Sequence, residues 1–139
     1  MRIIGLDLGE RRIGVAAADD RTRVAIPVTT VTVEGDPIET ILAIAREQRA
    51  DELVVGLPLS MSGALGPQGQ AVIAQVEQVR ERLPLPVHTW DERLSTVQAS
   101  RVTAEAGRKK SARTAMAGRD AAAAAIVLQA FIDARGTPR

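Results

Sequence analysis

The sequence predicts an α/β fold in which a mixed five-stranded sheet carries helices on both faces. The first 33 residues contain three apolar, β-leaning runs joined by short polar turns, which is typical of an antiparallel meander. After them, segments with helical apolar spacing alternate with two short apolar runs, which is typical of βα units. Parallel strands need crossovers that cover the sheet, so helices are expected on both faces. The 139 residues contain no repeat or linker and are expected to form one domain over 1–139.

The antiparallel meander is predicted over Arg2–Leu8, Arg12–Ala18 and Val24–Val33. The connection GERR begins with Gly9 and fits a hairpin turn between the first two strands. The polar residues 19–22 form the turn before the third strand, which is rich in Val, Thr and Ile. The glycines expected to allow close backbone approach or positive φ in this region are Gly5, Gly9 and Gly14.

The first helix is predicted to begin at the pair Asp36-Pro37. Asp36 can cap the helix and Pro37 suits its first position, while apolar residues at helical spacing continue to about Ala50. The remaining predicted elements are a strand over Glu52–Leu57, a helix over Pro67–Leu83, a strand over Pro86–Trp90, and an alanine-rich helical region from Leu94 that is interrupted near Gly107–Arg113 and ends in a helix over about Arg119–Ala134.

Composition excludes several classes of protein. The chain has no cysteine, so neither a disulfide framework nor thiolate chemistry is available. The first apolar stretch is short and is interrupted by Asp7, which argues against a signal peptide. The uncharged run Leu53–Val76 contains Pro58, Pro67 and four glycines, which argues against a membrane-spanning helix. We therefore expect a soluble, cytoplasmic protein with no membrane partner.

Charge is unevenly distributed although the net charge is only +1. Between Arg101 and Arg119 there are six basic residues and one acidic residue, so this segment carries +5 and the rest −4. The run GRKKSAR within it suits a nucleic-acid backbone, with an ordinary solvated loop as the alternative. With one Trp and one Phe in the chain, platforms for base stacking are scarce. The residues of this run predicted to hold phosphates are Arg108, Lys109, Lys110 and Arg113.

A carboxylate stands inside the first predicted strand. Asp7 interrupts the apolar run IIGLDLG, although Asp is depleted in strands and is costly to bury. The functional crevice of an open α/β sheet lies outside the carboxyl ends of its parallel strands, and three further acids approach that edge. They are Asp91 and Glu92 after the last strand and Asp120 at the start of the last helix.

Each of these acids also has a purely structural interpretation. Asp91 can cap the helix that follows it, Glu92 can be solvated, and Asp120 can stabilise a helix N-terminus through the dipole. Asp7 can be hydrogen-bonded to a neighbouring turn. The residues alone leave these alternatives open.

If Asp7, Glu92 and Asp120 do meet, they need a cation. Two carboxylates about 4 Å apart repel each other by roughly 4 kcal/mol at an effective dielectric constant near 20. Mg²⁺ and Mn²⁺ prefer such oxygen ligands, and two of these ions, roughly 3.5–4 Å apart, can activate water and stabilise the leaving oxygen of a phosphodiester. Zinc is a poor candidate because the chain has no Cys and a single His, His88, which we expect to pack or face solvent without a role in a site.

Four segments of the chain resemble, in order and spacing, the signature segments of the YqgF/RuvX family: DLGERRIGVA, VVGLPLSMSG, DERLST and DAAAAAIVLQ. This family consists of Holliday-junction-resolvase-like proteins of the RNase H-like superfamily, regarded as nucleases that mature the precursor of small-subunit ribosomal RNA. The resemblance implies an RNase H-like sheet and an acidic, metal-dependent site. It implies catalytic and metal-binding roles for Asp7, Glu92 and Asp120, with Asp91 as an alternative metal ligand.

The function expected from these features is hydrolysis of phosphodiester bonds in structured RNA, with pre-16S ribosomal RNA as the substrate, Mg²⁺ or Mn²⁺ as the cofactor and the ribosome as a further partner. Arg12 and Arg93 flank the acids and are expected to touch substrate phosphates, with surface salt bridges as the alternative. The chain is expected to be a monomer or a weak homodimer. Two other functions stay open: a resolvase of Holliday junction DNA, and a catalytically inactive RNase H-like module that binds nucleic acid or the ribosome.

Overall fold

The structure is a computed structural model that describes residues 1–59, 62–93 and 118–135. The helical region predicted from Leu94, its interruption and the basic residues of the run 107–113 lie outside the described residues. In chain order the elements are β1 (Arg2–Leu8), β2 (Arg12–Asp19), β3 (Ile26–Thr32), α1 (Pro37–Glu47), β4 (Glu52–Leu57), α2 (Pro67–Arg82), β5 (Val87–Asp91) and α3 (Arg119–Arg135).

Strand β1 occupies the centre of a five-stranded sheet whose order is β3-β2-β1-β4-β5. It pairs antiparallel with β2 and parallel with β4, and β4 pairs parallel with β5. Strand β2 pairs antiparallel with β3, with a register shift between Val15 and Ala16. The predicted mixed sheet, a meander followed by βα units, is confirmed.

The two faces of the sheet are covered by different helices. On one face, α1 and α2 pack over Ile4 and Leu6 of β1. On the other face, α3 covers Ile3 of β1 and packs its Leu128 against the sheet. Because side chains alternate along a strand, the odd-numbered residues of β1, including Asp7, belong to the face that α3 covers. No helix in the described parts of the chain is long and apolar enough to cross a membrane.

Helix α1 begins as predicted and ends earlier. The Asp36 carboxylate caps it by accepting a hydrogen bond from the backbone N–H two residues later, at 3.0 Å. The helix ends at Glu47 rather than near Ala50, because Arg49 takes a left-handed conformation with φ of 54°. The Ala50 N–H then donates back to a carbonyl in the last turn, which closes the helix end.

Strand β3 begins later than predicted, at Ile26 instead of Val24. The Ala25 N–H donates to the side-chain oxygen of Gln129 on α3, at 2.9 Å, and the Gln129 amide donates to the Arg23 carbonyl, at 3.0 Å. Arg23 itself has a φ of 59°. Residues 23–25 are therefore hydrogen-bonded to α3, and β3 begins after them.

The C-terminal end of α3 is anchored by a buried carboxylate. Glu52, at the start of β4 and 5% exposed, accepts two hydrogen bonds from the Arg135 guanidinium, at 3.0 and 2.6 Å. The Nε2 atom of His88 lies 2.6 Å from the same carboxylate, and its ring packs against Phe131. Arg135 also lies over the Phe131 ring, 4.5 Å from its centroid. We call Glu52, His88 and Arg135 the anchor triad.

Replacing Glu52 by Gln is expected to lower the free energy of unfolding by about 2 kcal/mol near neutral pH, because it leaves the Arg135 charge without its partner. The Arg135 guanidinium holds the Glu52 pKa below its ordinary value of 4.5, so this stabilisation is present above that pH and is lost as the pH falls through the lower, folded-state value. Urea unfolding near neutral pH and in acid measures this effect. The free energies of unfolding of wild type and Glu52→Gln should become equal in acid. The matched control is Glu47→Gln at an exposed position of α1; equal stability of Glu52→Gln and wild type near neutral pH would contradict the anchor.

Candidate active site

Three of the predicted acids lie at one edge of the sheet, on the face covered by α3. Asp7 lies on the same side of β1 as Gly5, against which α3 packs. Glu92 directly follows β5, and Asp120 lies in the first turn of α3. We call Asp7, Glu92 and Asp120 the acidic edge.

Asp7 and Glu92 share a hydrogen bond between their carboxyl groups. Burial, the negative charge of Asp7 and this hydrogen bond raise the pKa of Glu92 to about 7. Burial also raises the pKa of Asp7. The hydrogen bond from Glu92 lowers this pKa, and the negative charge of Asp120 raises it further. Glu92 is therefore the proton donor of this bond, and its carboxyl group keeps its proton to a higher pH than an ordinary glutamic acid does.

Two glycines allow the acidic edge to form. A Cβ atom on Gly14, which is paired with Asp7 across β1 and β2, would lie 1.8 Å from the backbone oxygen of Asp120. A Cβ atom on Gly56 of β4 would lie 2.6 Å from Oε1 of Glu92. The first turn of α3 thus rests on the backbone of β2, and the Glu92 carboxyl rests on that of β4. Close approach was expected at Gly14, whereas the contact at Gly56 joins residues far apart in the chain and has no local signal.

Asp91 does not join the acidic edge. Its Oδ1 accepts the backbone N–H of Arg93 at 2.9 Å, and its Oδ2 accepts the Arg93 guanidinium at 2.6 Å. Arg93 lowers the pKa of the Asp91 carboxyl through these bonds. The first is the bond of a helix cap, and the chain becomes helical at Glu92. Arg93, predicted to touch phosphate, also lies beside the backbone of Gly63, 3.4 Å from the position of a Cβ atom there.

Arg12 lies beside the third acid of the edge. Its Nε is 3.2 Å from Oδ2 of Asp120, in an ion pair whose side chains are 66% and 36% exposed. Arg12 is the first residue of β2, two positions before Gly14, so both belong to the face that α3 covers. The side chain predicted to bind phosphate is therefore at the edge and is engaged with an acid there.

Within the ranges that the structure describes, no three His, Cys, Asp or Glu side chains are close enough together to hold one metal ion. Of the three acids that were expected to meet, Asp7 and Glu92 are hydrogen-bonded to each other. The carboxylate of Asp120 instead forms an ion pair with Arg12. A proton and the Arg12 guanidinium offset two of the three negative charges in this arrangement, so one negative charge is left at the acidic edge. The donors are carboxylate oxygens alone, the set that Mg²⁺ and Mn²⁺ prefer, so the acidic edge fits a hard divalent cation that replaces the shared proton.

Residues 1–134 match the RuvX family, which carries the description Holliday junction resolvase. The chain belongs to the RuvX family. This confirms the resemblance found in the four sequence segments, and the match covers the whole acidic edge.

Other RuvX-like proteins carry the name "Putative pre-16S rRNA nuclease". One from Pelotomaculum thermopropionicum is 37% identical over 142 aligned positions, which cover 100% of this chain and 91% of that protein. One from Roseiflexus sp. is 40% identical over 136 positions, which cover 96% of this chain and 95% of that protein. In both cases the alignment covers nearly the whole of this chain and of the relative.

Two solved structures that superpose on this chain are of proteins bound to Holliday junctions. Thermus thermophilus RuvC in complex with a Holliday junction substrate superposes with a TM-score of 0.62 at 19% identity, covering 99% of this chain and 97% of that chain. The fowlpox virus resolvase bound to junction DNA gives a TM-score of 0.63 at 8% identity, covering 98% and 99%. Because the identity is so low, this likeness concerns the fold alone, and it confirms the predicted RNase H-like fold of this RuvX chain.

Gly14→Ala is expected to destabilise this RuvX protein by about 2 kcal/mol or more, because the added methyl group overlaps the backbone of the first turn of α3. Thermal unfolding followed by circular dichroism is the measurement. Gly66→Ala is the matched control, since a Cβ atom there meets nothing within 4 Å and the residue has an ordinary negative φ. Equal losses in the two variants would show that α3 does not depend on the bare backbone at Gly14.

Asp7→Asn is expected to stabilise the metal-free protein near neutral pH by on the order of 1 kcal/mol, because it removes a negative charge that raises the Glu92 pKa. An acid with a raised folded-state pKa favours folding most below its unfolded-state pKa, and this benefit is lost as the pH rises through the folded-state value of about 7. As the pH rises from the unfolded-state pKa of Glu92 to its folded-state value, the free energy of unfolding of wild type should therefore fall more than that of Asp7→Asn. Urea unfolding in EDTA tests this, with Asp133→Asn at an exposed position of α3 as the control. A loss of stability in Asp7→Asn would make Asp7 a structural residue.

Proposed function

We propose that this chain is a divalent-metal-dependent nuclease that hydrolyses phosphodiester bonds in structured RNA, with pre-16S ribosomal RNA in the cytoplasm as its substrate. The observation that carries the proposal is the half-buried, hydrogen-bonded pair Asp7 and Glu92 at the carboxyl ends of the central strands. Such a pair is costly to the fold, and costly charge arrangements cluster at functional sites. The names of the RuvX relatives support RNA as the substrate.

In this proposal Asp7, Glu92 and Asp120 hold Mg²⁺ or Mn²⁺. When bound, such an ion supplies an activated water for attack on the phosphodiester and stabilises the leaving oxygen. Glu92 would have to be ionised to hold the ion, and its pKa of about 7 allows it to lose its proton near neutral pH. Asp91 is not a ligand in this proposal because Arg93 occupies its carboxylate and the pair fixes the backbone on either side of Glu92.

Nucleic acid is proposed to bind through its backbone. Arg12 and Arg119 are exposed next to the acidic edge. The two aromatic residues, Trp90 and Phe131, pack against each other in a T-shaped contact at 6.0 Å on the α3 face and are partly buried. Recognition therefore depends on charge and shape more than on base stacking. Arg108, Lys109, Lys110 and Arg113 remain predicted phosphate contacts.

A second candidate is resolution of four-way DNA junctions. The family description and the fold shared with proteins bound to Holliday junctions favour it, and metal ions held by carboxylates can promote hydrolysis of a phosphodiester in either nucleic acid. The two functions differ in substrate alone, so a single assay with both substrates separates them.

The deciding experiment is cleavage of a labelled precursor rRNA fragment and of a four-way DNA junction, each in Mg²⁺, Mn²⁺ or EDTA. Wild type should cleave the RNA in either metal, and Asp7→Asn or Asp120→Asn should lower the rate by about a hundredfold or more, the effect of losing several kcal/mol of charge stabilisation. Asp133→Asn, on the same helix as Asp120, should cleave as wild type does.

Preferred cleavage of the junction would replace RNA by DNA as the substrate. If neither substrate is cleaved in either metal while RNA binding persists, the chain is an inactive RNase H-like binding module. Full activity of Asp7→Asn would remove the acidic edge from the mechanism.

A further inference from the structure

We infer that Arg12 is a positioning residue that keeps Asp120 from the metal until a substrate phosphate takes its guanidinium group. The inference rests on the proposed function, since it concerns the order in which metal and nucleic acid assemble at the acidic edge. It assigns Arg12 a role in metal loading in addition to its predicted contact with phosphate.

The first step of the inference is the geometry of the contact. The Arg12 Nε lies 3.2 Å from Oδ2 of Asp120, and the backbone of Asp120 rests on Gly14, two residues further along β2. The docking of α3 on β2 thus places the two residues side by side. An oxygen of the third acid is directed to an arginine of the same chain.

The second step is competition for Asp120. Asp7 and Glu92 are hydrogen-bonded to each other, and among the described residues Asp120 is the nearby acid that can give a cation at this pair a third carboxylate. In the described part of the chain no three acids form such a group, which agrees with Asp120 being held by Arg12. The guanidinium also repels an approaching cation. Arg12 therefore opposes metal binding in the absence of substrate.

The third step is the release of Asp120. With the Arg12 side chain 66% exposed, the ion pair is screened by solvent and is weak. A phosphodiester placed at the edge offers the guanidinium a bidentate partner and competes with Asp120 for an ion pair that solvent already weakens. Arg12 then turns to the phosphate and Asp120 is free for the metal. Because coupling is reciprocal, bound nucleic acid raises the affinity for metal and bound metal raises the affinity for nucleic acid.

The test measures Mn²⁺ affinity by electron paramagnetic resonance in wild type, Arg12→Gln and Arg11→Gln, with and without a phosphorothioate RNA hairpin whose integrity is checked after each titration. Arg11→Gln is the matched control, because it removes the same charge from the same turn and, among the described residues, Arg11 has no ion pair. Without RNA, Arg12→Gln should bind Mn²⁺ about two- to fivefold more tightly than Arg11→Gln, the range expected for an exposed ion pair. With RNA, wild type should gain more affinity for Mn²⁺ than Arg12→Gln gains.

Two results would overturn the role of Arg12: equal Mn²⁺ affinity of the two arginine variants, or an equal gain from RNA in wild type and Arg12→Gln. Asp7→Asn is included to separate the inference from the proposed function. If wild type binds no Mn²⁺, or Asp7→Asn binds it as tightly as wild type, the metal site itself is wrong and the role of Arg12 is wrong with it.

Discussion

Helix α3 lies directly on the backbone of the two central antiparallel strands, and the position of the acidic edge depends on that distance. The ideal Cβ positions of Gly5 and Gly14 fall 2.8 Å and 1.8 Å from atoms of α3. The helix presents alanines to the sheet, with Ala121 and Ala124 fully buried. Small residues on both sides bring Asp120 next to the strand that carries Asp7. A larger side chain at Gly14 would overlap the backbone of Asp120, move the helix and separate the acids without changing any carboxyl group.

The charge arrangement explains why a carboxylate stands in a buried strand. Asp7 gains little for the fold: burial and Asp120 both raise its pKa, and its partner Glu92 must hold a proton near neutral pH. A structural acid would have a cationic partner, as Glu52 has Arg135 at the other end of α3. Asp7 and Glu52 thus lie on the same face of the sheet and differ in their partners. Asp7 belongs to a site that needs a cation, whereas Glu52 already has one in Arg135.

Local sequence signals were sufficient for the fold and for the candidate acids. Asp7 could be recognised because its burial conflicts with the apolar run around it, and the Asp36 cap because its partner is two residues away. The choice between Asp91 and Glu92 could not be made, since it depends on which residue faces α3. The anchor triad could not be seen either, because Glu52 is 36 residues from His88 and 83 from Arg135. Residues that are close in the chain show which helix, strand or cap a segment favours and where a residue does not suit its surroundings. Contacts between residues far apart in the chain form only on folding, so a single sequence carries no pattern for them.

The two ends of α3 divide stability and chemistry between them. At the C-terminal end, the Glu52 carboxylate binds the Arg135 guanidinium, which also covers the Phe131 ring, so each charge is satisfied and the helix is held. At the N-terminal end, the Asp7 carboxylate is repelled by Asp120 and raises the pKa of Glu92, and among the described residues the exposed Arg12 is the cation that pairs with one of these acids. A helix fixed at one end can keep an unfavourable charge cluster in place at the other, since the whole rigid element resists the separation of the acids. Weakening the anchor triad should therefore loosen the acidic edge even though the two lie at opposite ends of the helix.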